Sequence, residues 1–215
     1  LAMLSMLVTV LSTVPAMAEV QQVSVDQFHI AFTATITSPP VKVYAALAHV
    51  EKWWSAEHTW SGDAANLSLK AEAGGCFCER WADGSVEHGR VIMALKDQNL
   101  RLDSALGPLQ EFALKGTLGF HLTAAEDNST EMQVDYLVNG SSRSGLEQFA
   151  PVVDQVLAMQ LERLLRYIDT GNPEAPPAEP AAELPSTKNK RSELIDEWAE
   201  EAAKDAAKSQ QDSKH

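Results

Sequence analysis

An α+β fold, an antiparallel sheet with helices set apart from it, is what this 215-residue sequence predicts. Three observations carry that reading. Short runs alternate apolar and polar residues, the period of a strand with one face in a core. Tight turn signals join most of these runs in succession, which makes neighbouring strands antiparallel. A long stretch of helix-spaced apolar residues then closes the folded region.

The first run is Phe28, Ile30, Phe32, Ala34 and Ile36, interleaved with His29, Ala31, Thr33 and Thr35. Ser38-Pro39-Pro40 stops it. Ser38 is placed to cap a helix, and Pro39 suits a first helical turn, where its missing N–H costs nothing. Tyr44, Leu47, Val50 and Trp54 continue at helical spacing. Six further strands are expected near Leu67–Ala73, Cys76–Trp81, Val86–Leu95, Leu100–Ala105, Phe112–Leu122 and Met132–Val138, for a sheet of seven. Asp83-Gly84, Gly107-Pro108 and Asp127-Asn128 mark turns between them. Ser144 and Glu147 have capping-box spacing, and Pro151 restarts or kinks the helix that follows. Its apolar face is Phe149, Val152, Val153, Val156, Leu157, Leu161, Leu164, Leu165 and Ile168.

The ends read differently from this middle. Met3 to Val14 is a mostly apolar, uncharged run, followed by Ala16-Met17-Ala18 and Glu19. That is the pattern of a secretory signal peptide, residues 1–18, cut after Ala18, and it implies a periplasmic or secreted protein. The run is too short to span a bilayer. The domain is then expected over 19–170. Residues 171–190 are rich in Pro, Ala and Glu and read as an extended linker. Residues 191–215 form a charged, partly helical tail in which Trp198 is a docking candidate. The formal net charge of −13 argues against nucleic-acid partners and against docking on anionic lipid. With two cysteines, the chain is not a disulfide-built scaffold.

Within the middle, Thr37-Ser38-Pro39-Pro40-Val41, Ala45-Ala46-Leu47 and Trp53-Trp54 resemble the opening of START-like (SRPBCC) domains. Gly74-Gly75-Cys76-Phe77, the Asp83-Gly84 turn, Gly89-x-Val91 and Leu100-Arg101-Leu102 resemble their activator-of-heat-shock-ATPase and polyketide-cyclase-like branch. The resemblance covers about residues 28–169. It implies a helix-grip fold, a seven-stranded sheet curled around the long C-terminal helix, with a cavity for a small apolar molecule. It implies no shared catalytic set; no cofactor is expected.

Chemistry is densest in Cys76-Phe77-Cys78-Glu79-Arg80-Trp81 and Val86-Glu87-His88-Gly89-Arg90. A two-residue turn at Asp83-Gly84 sets Glu79 opposite His88 and Arg80 opposite Glu87. One face then carries Phe77, Glu79, Trp81, Val86, His88, Arg90 and Ile92, and its aromatic content suits a cavity wall. A three-residue loop would instead pair Glu79 with Glu87. On the two-residue register Glu79, His88 and Arg90 meet at the cavity. Phe77, Trp81 and Trp54 are ligand-contact candidates beside them. A carboxylate beside an imidazole is a general-base arrangement, and an arginine can hold a ligand anion. Equally, the pair can serve only to fix strand register.

Cys76 and Cys78 at i and i+2 on a regular strand have Cα atoms about 6.5–7 Å apart, at or beyond disulfide range. They are therefore expected as thiols, with a strained bridge the alternative in an exported protein, and Cys-x-Cys metal ligation a weaker one, His58 and His121 lacking supporting spacing. Three function classes follow: an exported binder of a small apolar or amphipathic molecule, a cofactor-free cyclase or hydratase-like lyase using Glu79 and His88, and an interaction module acting through the tail.

Overall fold

A computed structural model describes residues 17–174. The expected signal run up to residue 16, and the linker and tail beyond residue 174, lie outside them. The described strands are β1 (Met17–Val23), β2 (Gln27–Ile36), β3 (Leu67–Leu69), β4 (Cys76–Trp81), β5 (Gly84–Leu95), β6 (Asn99–Asp103), β7 (Lys115–Ala124) and β8 (Thr130–Asn139). The helices are α1 (Pro40–Ala48) and α2 (Leu146–Thr170). All strands join one antiparallel sheet in the order β1-β2-β8-β7-β6-β5-β4-β3. The order is a meander from β3 to β8, with β2 returning beside β8.

The sheet has eight strands, not the expected seven. The extra one is β1, where the expected cleavage point falls. Glu19-Val20-Gln21-Gln22-Val23 lacks strict alternation, because the β1–β2 register shifts between Val20 and Gln22. An interrupted period hides a strand from a period-two reading.

Two expected helix caps are also corrected. Pro39, not Ser38, stands at the α1 N-cap, and no side chain caps it. The Ser38 carbonyl instead accepts from the Thr130 hydroxyl at 2.6 Å, tying the start of the helix to β8. At α2 the N-cap is Gly145, at φ 63°. The Ser144 hydroxyl turns back to accept from the Ser141 N–H at 2.8 Å. Trp53 and Trp54 follow a separate 3-10 turn, Val50–Lys52, rather than extending α1.

α2 lies along β1 and β2 and against α1. Its buried stripe of Leu157, Leu161, Leu164 and Ile168 joins the core that also holds Phe28, Ile30 and Phe32 of β2 and Val134 and Tyr136 of β8, all almost fully enclosed. Val152, expected on that stripe, is exposed. Arg163 donates to the Trp53 carbonyl at 2.8 Å and fastens the helix to the tryptophan loop. A sheet wrapped on one long C-terminal helix is broadly a helix grip.

Candidate functional site: a buried Glu–His latch beside a one-residue disulfide

The β4–β5 hairpin turns one residue earlier than expected. Trp81 pairs with Gly84, Arg80 with Ser85, Glu79 with Val86 and Cys78 with Glu87. The ladder then breaks: the next pairs are Phe77 with Gly89 and Cys76 with Arg90. His88 is the extra residue of a β-bulge on β5.

The bulge decides which way each side chain faces. Opposed residues share a face, and alternation holds up to His88, so Phe77, Glu79, Val86 and His88 lie on the inner face. One inserted residue reverses the alternation beyond it. Val91 therefore turns inward and is buried, while Arg90 and Ile92 turn outward and are exposed. Arg90, expected beside Glu79 and His88, instead pairs with Glu87 at 2.6 Å and donates to the Gly74 carbonyl at 3.1 Å. Glu87 was expected to pair with Arg80, which is simply exposed. Trp81, at the end of the strand, is half-buried.

Glu79 and His88 meet all the same. They sit diagonally across the ladder, and His88 Nε2 lies 2.9 Å from Glu79 Oε2. Both are buried, Glu79 completely. Glu79 also accepts from the backbone N–H of Trp60 at 3.0 Å and of Ser61 at 2.5 Å. Its carboxylate thus holds down the loop between the tryptophans and β3. Burial pushes the Glu79 carboxyl up. The hydrogen bonds from Ser61, Trp60 and His88 together outweigh it and hold the group below the usual glutamate range. An ionised Glu79 can only accept, so Nε2 of His88 is the donor and carries its proton. That leaves Nδ1 as the ring atom not committed to Glu79.

The backbone supports the bulge from behind. The Ser104 hydroxyl donates to the His88 carbonyl at 2.7 Å. The Tyr136 hydroxyl in turn donates to the Ser104 carbonyl at 3.2 Å and accepts from the Leu106 N–H at 2.9 Å. Burial raises the Tyr136 hydroxyl pKa far above its ordinary value, so it stays neutral. Gly89 is required by this closeness: a Cβ there would sit 2.8 Å from Ser104 Cβ.

Aromatic rings line the inner side. Phe77 lies 5.0 Å from the His88 ring and 5.6 Å from Trp54, which lies 5.5 Å from Trp53. Trp54 donates to the His58 carbonyl at 3.0 Å. Just beyond, the Ser55 N–H donates to Oε1 of Gln160 on α2 at 2.9 Å. Gln160 is fully buried, and its Nε2 has no hydrogen-bond partner among the described residues. Gln160 was not among the expected site residues. Its signal is a polar residue interrupting the apolar spacing between Val156 and Leu164.

Of the expected ligand contacts, then, the fold brings Phe77, Trp54, Glu79 and His88 together. It leaves Trp81 partly covered at the hairpin end and sends Arg90 to the opposite face. Two open concavities lie elsewhere. One of about 240 Å³ on the outer sheet face is lined by Asn99, Arg101, His121 and Asp135. One of about 530 Å³ lies between α1 and the end of α2, by Lys42, His49 and Tyr167.

The thiol expectation is overturned. Cys76 and Cys78 form a disulfide, with Cα atoms 5.3 Å apart. The estimate of about 6.5–7 Å assumed a regular strand. The β4–β5 register breaks between Phe77 and Cys78, and the irregular backbone there draws the two residues together. While the sulfurs are joined, neither offers a thiolate to a metal.

No family model matches the chain, and no curated protein does. Solved structures do. EF2215, a conserved protein from Enterococcus faecalis, is similar with a TM-score of 0.51 at 12% identity, over 76% of this chain and 82% of that one. The Aha1 dimer from Colwellia psychrerythraea is similar with a TM-score of 0.50 at 20% identity, over 66% and 97%. CalU16 from Micromonospora echinospora has a TM-score of 0.48 at 14% identity, over 76% and 86%. At such identities the likeness shows the fold alone, an antiparallel sheet with a long C-terminal helix.

Proposed function

We propose that this is an exported protein that binds a small, largely apolar molecule between α2 and the inner face of the sheet. The observation that carries the reading is Gln160. A carboxamide wholly inside an apolar layer costs stability unless its atoms are paired. One end holds Ser55, and the other is a donor without a partner among the described residues, beside the tryptophan loop. A ligand oxygen would engage it, and the Trp54, Phe77 and His88 rings supply the apolar bed. Trp54 is half-buried and lies at the rim, where its ring can yield to an entering molecule. The START-like fold supports the same reading. Export rests on the sequence of residues 1–18.

Native mass spectrometry of the protein from its source host tests it. The expected result is a bound organic molecule that disappears in Gln160→Leu while the fold, followed by circular dichroism, is kept. Bare protein from the host, with no saturable binding of apolar probes, would overturn it. N-terminal sequencing should find the mature chain starting at Glu19.

The lyase reading finds less support. Arg90 is on the far face, and both Glu79 oxygens are held by donors, so Glu79 is not free to act as a base.

A further inference from the structure

We propose that Cys76 and Cys78 form a reversible redox centre that exchanges with external thiols and disulfides. Cys76 is the sulfur that meets the partner and Cys78 the one that resolves it. The proposal does not rest on ligand binding.

The first argument is what the bond fails to do for the fold. It closes a loop between residues two apart. The stabilisation from a disulfide grows with the loop it closes, so this one contributes near the minimum. It joins no two elements either. Both cysteines belong to β4, which β3 and β5 already hold on its two sides.

The second argument is access. Cys76 is half-buried and Cys78 is buried at 4% exposure. Exchange requires approach to a sulfur, so Cys76 is the reachable one.

The third is the outer-face chemistry that the bulge creates. Arg90 stands directly opposite Cys76 in the ladder, and a guanidinium beside a thiol favours the thiolate. Glu87 stands opposite Cys78, and its carboxylate and both sulfurs lie within 4.8 Å of one another. A nucleophile with a neighbouring cation, a resolving thiol and a proton acceptor thus share one face. Had the strand kept its alternation, Arg90 would point inward.

The steps balance. In the reduced form the Cys76 thiolate attacks one sulfur of a disulfide R–S–S–R′. The Cys76–S–R bond forms, the S–S bond breaks, and R′S⁻ leaves and takes a proton from water. Cys78 then gives its proton to Glu87 and attacks Cys76 Sγ. The Cys76–Cys78 bond forms and RS⁻ leaves, taking up that proton. Two electrons pass from the protein to the partner, with one proton from Cys78 and one from water, giving two thiols. With excess thiol the sequence runs backward. Phe77 lies between the two cysteines with its ring against Trp54 and His88, so the redox state is coupled to the aromatic site.

The full chain, equilibrated with glutathione and glutathione disulfide at varied ratio, then acid-quenched and alkylated, tests the proposal by mass. The expected result is a reversible two-electron titration without unfolding, accompanied by a change in tryptophan fluorescence. A bond that stays oxidised until denaturant is added would overturn it. Single variants test the roles. Cys78→Ser should accumulate a glutathione adduct at Cys76 about tenfold faster than Cys76→Ser does at Cys78, and Arg90→Ala should slow it. Equal rates in the two variants would overturn the assignment of Cys76. The wild-type titration stands whether or not either variant folds.

Discussion

Two parts of the same sheet follow different rules. Across β2, β8 and β7 the ladder is unbroken, residue by residue, from Gln27↔Asn139 to Ile36↔Thr130 and from Lys115↔Asn139 to Ala124↔Thr130. Its inner face is apolar, with α2 packed along β2 and α1 against β7. Across β4, β5 and β6 the ladder breaks twice, between Phe77 and Cys78 and between Val91 and Met93. That part carries the buried Glu79–His88 pair, the disulfide and the Arg90–Glu87 pair. The contrast teaches that polar chemistry sits where pairing is irregular. A bulge lets residues two apart on one strand serve opposite faces, as His88 and Arg90 do on either side of Gly89.

Mutation should separate the two parts. The largest loss is expected in the regular one. Phe32→Ala removes a ring 2% exposed under α2 and should cost about 3–5 kcal/mol in urea unfolding. A cost below about 1 kcal/mol would mean the helix does not depend on that face. In the irregular part, Glu79→Gln turns an amide N–H toward groups that are themselves donors. It should cost about 1–3 kcal/mol and loosen the loop at Trp60 and Ser61, seen as faster amide exchange there.

A pH experiment sharpens the same point. The folded-state pKa of Glu79 lies below its unfolded value. Its contribution is therefore complete above the unfolded pKa and is lost as pH falls through the folded one. Unfolding free energy should drop on acidification from the ordinary glutamate range downward, and Glu79→Gln should flatten that part of the profile. An identical slope in both proteins would rule out Glu79 as a source of the acid sensitivity. The smallest effect is expected from Arg90→Ala. Its pair with Glu87 is solvent-exposed, so stability should change by less than about 1 kcal/mol. A larger loss would show that the outer-face pair helps hold the bulge.

The same contrast explains what could be read from sequence. In the regular part each alternate residue from Phe28 to Ile36 is buried, as the period requires. Around Glu79 the faces are right as far as His88 and inverted beyond it, because period two has no memory of an inserted residue. Glu79 and His88 were expected directly opposite each other, and they meet diagonally on a register two residues away. Gly89 was the available clue, since a glycine inside a strand often marks a bulge or a close backbone approach. The disulfide could not be read from spacing, because its feasibility depends on that irregularity. The donors from Trp60 and Ser61 are backbone groups, which no side-chain pattern announces.

The two ends of the sheet bear on how this protein behaves in a crowd of its own copies. An open sheet offers unpaired amides along its outermost strands, and long flat ones recruit further chains. Here one outermost strand, β3, spans Leu67–Leu69 only. The other, β1, is broken by its own irregularity between Val20 and Gln22. Neither presents a long straight template for strand-by-strand growth, so concentrated solutions should resist fibril seeding.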